Sequence, residues 1–220
     1  MYITILGSCR QKPLEKYFNV TCIQESLTYP HYTKEIIQTI EYCKDEKKIA
    51  INDTQNCFRT GILNKKPITN HETLHNQFNN TDLFVIEIAS RIAYKYDNLY
   101  VHHILTQKEF GFNNRQNIII YNLTDEEIEN DLIKIKELLH PKKILVVSHI
   151  YTYKTGKRYE LIKLLKYLCE KHSLPFLSPS DHFNTNDDLY VKNEKVLSHF
   201  SSNGTELIGN LYKEVINNFI

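Results

Sequence analysis

Tyr2-Ile-Thr-Ile-Leu6 running into Gly7-Ser8-Cys9-Arg10 is the stretch whose reading decides the fold. An apolar, β-branched run that stops at a glycine is the form of a buried strand whose carboxyl end opens into a loop. Working outward, Asn19-Val-Thr-Cys-Ile23 offers a second strand, and Thr33 starts a helical pattern with Ile36, Ile37, Ile40 and Cys43 on one side. Asp82-Leu-Phe-Val-Ile-Glu-Ile88 is the strongest strand in the chain. Lys143-Ile-Leu-Val-Val-Ser148 is another, and Leu174 to Leu177 a fifth. Thr124 and Glu127 form a capping-box signature ahead of Ile128, Leu132, Ile135 and Leu139 at helical spacing. Leu161, Leu164, Leu165 and Leu168 mark a further amphipathic helix. The last helix carries Leu207, Leu211, Val215 and Phe219 on one stripe, beside Ile208, Tyr212 and Ile216.

Five apolar strands alternating with helices imply a parallel sheet covered on both faces, joined by right-handed crossovers. The expectation is an α/β protein, a three-layer α/β/α sandwich on a five-stranded parallel sheet. Residues 1–220 are read as one domain, with an irregular excursion at about 89–122 that carries Leu99 to His102 and Ile118 to Tyr121 as extra extended pieces. In such sheets the ligand crevice lies beyond the carboxyl ends of the strands. The residues after Leu6, Ile88, Val147 and Leu177 are therefore expected to converge.

Composition narrows the classes further. With 27 Lys and Arg against 26 Asp and Glu, the net charge of +1 exerts no general pull on nucleic acid or anionic membrane. An early strand with no basic and apolar leader before it, and no apolar run near the roughly 20 residues of a membrane span, make a cytoplasmic protein the expectation. Cys9, Cys22, Cys43, Cys57 and Cys169 are odd in number, scattered and without a C-x-x-C pair, so free thiols are expected.

Three short blocks lie where the strand ends should meet: Gly7-Ser8-Cys9-Arg10, Ala89-Ser90-Arg91, and Ser198-His199 ahead of Gly204 and the last helix. In order and position they resemble the SGNH (GDSL-type) hydrolase superfamily, whose blocks are Gly-Asp-Ser after strand one, Gly-x-Asn after a later strand, and Asp-x-x-His before the closing helix. The resemblance implies an SGNH or flavodoxin-like sheet. It places Ser8 at the family's Asp and Cys9 at its nucleophilic Ser. His199 falls at the general base, Ala89 at the Gly and Arg91 at the oxyanion-hole Asn. Val196 stands where the family has the acid that orients the imidazole, leaving Asp181 or Glu194 to substitute.

A thiol suits the nucleophile position, since it ionises near pH 8.5 even without help. The backbone N–H groups of Cys9 and Arg10, with the Arg91 guanidinium, are the expected oxyanion donors, and Gly61 is a candidate second-block glycine. A Gly-polar-Cys block with a distant His is similar to the cysteine-containing branch of the superfamily implicated in capsule polysaccharide biosynthesis. That similarity implies acetyl transfer from acetyl-CoA to a sugar or nucleotide sugar. The expected alternatives are an SGNH carbohydrate esterase and a non-catalytic binding protein on the same scaffold. The expected partner is a small molecule or glycan, not nucleic acid or membrane. His149, Tyr151, Lys154, Lys157 and Arg158, on the loop after strand four and the start of the next helix, are candidates for holding donor phosphates.

His71-Glu-Thr-Leu-His75 matches the H-E-x-x-H zinc pattern, but its polar surroundings and its place before strand three, at the opposite end of the sheet, count against a metal role. His102 and His103, taken as strand neighbours, would point to opposite faces, which argues against joint ligation. No metal is expected.

Overall fold

The computed structural model describes residues 1–21, 23–27, 29–151, 153–183 and 200–219. From the amino terminus run β1 (Tyr2–Leu6), a 3-10 helix (Cys9–Lys16), β2 (Asn19–Val20), α1 (Ile23–Leu27), α2 (Thr33–Cys43), α3 (Ile51–Cys57), α4 (Arg59–Asn64) and α5 (His71–Asn79). There follow β3 (Leu83–Ile88), β4 (Ile92–Tyr96), β5 (Leu99–Tyr100), β6 (Ile119–Asn122), α6 (Asp125–Leu139), β7 (Lys143–Ser148), α7 (Lys157–Lys171), β8 (Phe176–Leu177) and α8 (Ser202–Phe219).

β2, β1, β3, β7 and β8 form, in that order, an all-parallel sheet flanked by helices, the three-layer α/β/α arrangement that the strand and helix alternation implies. Its register sets Ile5 against Val85 and Ile86 against Val146. Side chains alternate between the two faces. Ile3, Ile5, Leu83, Val85 and Val147 pack toward α8, while Leu6, Phe84, Ile86 and Val146 pack with buried side chains of α2, α5, α6 and α7. The order reverses direction between β1 and β3, the switch point at which such sheets leave a crevice.

Several elements differ from the sequence expectation. β2 stops at Val20, with only the Thr21 N–H still reaching Ile3 O at 2.8 Å, and Ile23 begins a helix instead of ending a strand. The fifth strand is only Phe176–Leu177. The excursion is a second sheet, antiparallel in the order β5-β4-β6, turned at Asp97 with φ of 51°. The full capping box of Thr124 and Glu127 is present.

On α8 the buried stripe is Ile208, Tyr212 and Ile216, each 0% exposed, with Leu207 at 36%. The helix is rotated by about one residue from the expected stripe. Gly209 permits this: a Cβ there would lie 2.7 Å from the Tyr17 ring and 3.3 Å from Pro13 O. Ile208→Ala should therefore cost about 2–5 kcal/mol of unfolding free energy and Leu207→Ala no more than about 0.5, read from urea midpoints. The reverse ranking would overturn this orientation of α8.

Candidate active site

The carboxyl ends of β1, β3 and β7 meet at one buried acid. Glu87, on fully buried β3, is 0% exposed. Its Oε2 accepts the Ser8 N–H at 2.6 Å and its Oε1 lies 2.8 Å from His149 Nδ1. Because a carboxylate only accepts, Nδ1 carries the proton of that bond and Nε2 keeps the lone pair. His149 Nε2 is buried and has no hydrogen-bond partner among the described residues.

The charges follow from these contacts. Burial alone would raise the Glu87 carboxyl, but the bonds from His149 and Ser8, with the Gln11 amide, outweigh it and hold the group well below the usual carboxylate range. Burial pushes His149 below the ordinary histidine value. Glu87 opposes that shift, and the charges of Arg10 and Arg158 add to it. The pair is a neutral imidazole on an ionised acid, the arrangement in which a histidine takes up a proton at Nε2.

His149 borders a cavity of about 390 Å³ whose lining includes Arg10, Arg91, Lys157 and Arg158, together with His31 and His103. Lys157 opens the 15-residue α7 behind Gly156, which has φ of 86°. The Arg158 guanidinium lies 5.9 Å from the Tyr151 ring centre, and the Tyr151 N–H donates to Ser180 Oγ at 2.7 Å, joining the exits of β7 and β8. Helix N-terminus and cations together suit an anionic ligand.

The residues singled out from sequence divide as follows. Ser8 caps the 3-10 helix, its Oγ accepting the Arg10 N–H at 3.3 Å, so that N–H is already engaged and is not an open oxyanion donor. Cys9 begins this helix and is half-buried, whereas burial pushes the thiols of Cys43, Cys57 and Cys169 up to about 12. Arg91 lines the cavity and also pairs with Asp125 at the start of α6. His149 is not a simple phosphate contact, since its ring is committed to Glu87. Lys154 stands exposed on the loop.

Asp181 is exposed and turned to Lys166 at 3.9 Å; the acid beside the His149 imidazole is Glu87. Gly61 is a packing glycine, since a Cβ there would lie 2.7 Å from Thr54 O where α4 crosses α3. His199 and Glu194 lie outside the described residues. On the H-E-x-x-H helix, His71 Nε2 meets Tyr42 O and His75 Nδ1 meets Cys43 O, each at 2.8 Å, so both rings serve the carboxyl-terminal carbonyls of α2.

His102 and His103 do not lie on a strand. The chain turns there into a short 3-10 segment (His103–Thr106), and their ring centres come to 4.3 Å, on the same side and beside His31. Neither Glu87 nor this cluster was singled out from sequence. The available signal was one acid in a strand of otherwise apolar residues, next to its carboxyl end.

The family model of the TviD N-terminal domain matches residues 1–116, just over half of the chain. The chain belongs to this family. TviD is a Vi capsule polysaccharide biosynthesis acetyltransferase. The part matched to the TviD N-terminal domain holds Cys9, His31, Glu87, Arg91, His102 and His103, and His149 follows it. No curated protein matches the chain. Among the described residues no helix is long and apolar enough to cross a membrane.

Two outcomes are expected. In the native protein iodoacetamide should alkylate Cys9 while Cys43, Cys57 and Cys169 react only after denaturation, as read by peptide mass spectrometry; protection of Cys9 would contradict its half-buried position. Burial, reinforced by the charge of His103, lowers His31 to about 3, whereas an unfolded histidine titrates near 6.5. The unfolded chain protonates first, so this contribution is intact above pH 6.5 and is lost as pH falls toward 3. Urea midpoints of His31→Asn should fall less over that interval than those of the wild type.

Proposed function

We propose that the chain is an acetyltransferase of polysaccharide biosynthesis, carrying acetyl from acetyl-CoA to a hydroxyl of a sugar or nucleotide sugar. The observation that carries this reading is the Glu87–His149 pair, whose buried Nε2 has no hydrogen-bond partner among the described residues and whose histidine lines a cavity rimmed by cations. Family membership supports it, because TviD itself is a capsule polysaccharide acetyltransferase. The Gly7-Ser8-Cys9 turn and its SGNH likeness add the nucleophile.

In this reading His149 Nε2 takes the Cys9 thiol proton and the sulfur attacks the acetyl carbonyl. The carbon–sulfur bond to coenzyme A breaks, and its thiolate leaves with the proton from Nε2. A sugar hydroxyl then gives its proton to Nε2 and attacks the Cys9 thioester. The acetyl ester leaves, and Nε2 returns the proton to Cys9. The exchange between two thioesters is nearly isoenergetic. Glu87 keeps the imidazole in the productive tautomer and stabilises the imidazolium in each half. Arg91 and the Cys9 N–H receive the oxyanion. Lys157, Arg158 and the start of α7 receive donor phosphates, with Tyr151 supporting Arg158.

With labelled acetyl-CoA and candidate sugar acceptors, His149→Ala should lower kcat by about 10²–10⁴-fold. Cys9→Ala should remove both the acetyl-enzyme adduct seen in intact-mass spectra and turnover. Lys157→Ala with Arg158→Ala should act mainly on KM for the donor. Full turnover in Cys9→Ala would eliminate the covalent route. Release of acetate from acetylated sugar without any transfer would favour the esterase.

A further inference from the structure

We infer that His31, His102 and His103 form a binding site for a zinc-class divalent ion, with one coordination position open toward the cavity and suited to an anionic oxygen ligand. Each residue offers one ring nitrogen, and the three nitrogens lie within 4.8 Å of one another. A tetrahedral zinc with bonds of about 2.0–2.1 Å holds its nitrogens roughly 3.3 Å apart, so small side-chain rotations close the set. Three imidazoles without a thiolate, plus an open position, is the donor set of zinc sites that keep room for an exogenous ligand.

The surroundings are built for this. His102 Nε2 lies 3.1 Å from Tyr29 O and donates to it, which fixes the ring and leaves the lone pair on Nδ1; that nitrogen caps the 3-10 turn by accepting the Ile104 N–H at 3.3 Å, a bond that the ion would replace. A ligand histidine whose other N–H is held by a backbone carbonyl is the usual supporting arrangement of metal centres. The His31 backbone is pinned from both sides. Its carbonyl accepts the N–H groups of Ala89 and Ser90, each at 3.0 Å, and its N–H donates to Glu35 Oε2 at 2.9 Å. His31 and His103 themselves line the cavity, so an ion between them faces it.

The charge of the surroundings selects the fourth ligand. Arg10 and Arg91 line the same cavity, and the Arg59 guanidinium lies 4.9 Å from the Tyr29 ring centre, next to the carbonyl that holds His102. A divalent ion in this positive setting is best completed by a phosphate or carboxylate oxygen. Such a site is independent of whether Cys9 carries an acyl group.

The test uses the tag-free full chain, stripped with chelator and dialysed against zinc chloride, with metal counted by mass spectrometry. About one zinc per chain is expected for the wild type and for His71→Ala, falling below about a tenth in His31→Ala and His103→Ala. Zinc should also raise the melting temperature of the wild type but not of a cooperatively melting His103→Ala. X-ray absorption at the zinc edge of the wild type should show three imidazoles, a reading that requires no variant to fold. Inorganic phosphate added to the loaded protein should add an oxygen neighbour. No zinc uptake by the wild type, uptake unaltered in both variants, or an edge spectrum with fewer than two imidazoles would each overturn the proposal. Loss of acetyl transfer with zinc binding intact would refute the function proposed above and leave this site standing.

Discussion

A charge buried in the sheet is what the rest of the architecture serves. Glu87 lies in a strand without solvent contact, where an unpaired carboxylate would cost several kcal/mol. Its two oxygens are satisfied from different strands, one by the Ser8 N–H beyond β1 and one by the His149 ring beyond β7. One acid thus fixes the spacing of three neighbouring strand exits. Gly7 is part of the same constraint, because a Cβ at that position would come within 2.5 Å of the Glu87 Cβ. The glycine that reads as a strand terminator is the residue that lets the acid fit beside β1.

Around this centre the other elements supply one property each. α7 brings two cations to the cavity at its amino-terminal end. The antiparallel sheet closes the side beyond β3, and the Arg91 to Asp125 pair ties its first strand to the start of α6. α8 covers the face from which Glu87 projects, with the Tyr212 hydroxyl reaching Gln11 beneath it. The site therefore sits between a rigid sheet edge and short connections, the usual division between scaffold and functional loops.

The parallel sheet was legible because its strands are buried on both faces and read as continuous apolar runs, as in Lys143 to Ser148. The Thr124 box was legible because capping chemistry is local. What failed was non-local. Whether Leu207 or Ile208 faces the sheet depends on Gly209 meeting Tyr17, a contact spanning most of the chain. Two adjacent histidines look divergent on a strand, yet the backbone leaves the β5 ladder after Tyr100 and winds into a 3-10 turn. Arg91, Lys157 and Arg158, read from their places after strand ends, line the cavity. Glu87 hid inside a strand where alternation alone marks it as core, and the partner of its charge comes from 62 residues away.

The way β3 ends has a mechanical meaning. Beyond Ile88 the next two amides do not pair with another strand; both converge on the single carbonyl of His31. One oxygen atom thus serves as the pivot between the backbone that carries Arg91 and the backbone that carries the first of three clustered rings. The backbone leading to Arg91 and the backbone bearing the clustered imidazoles are thereby held to one common point without any intervening side chain.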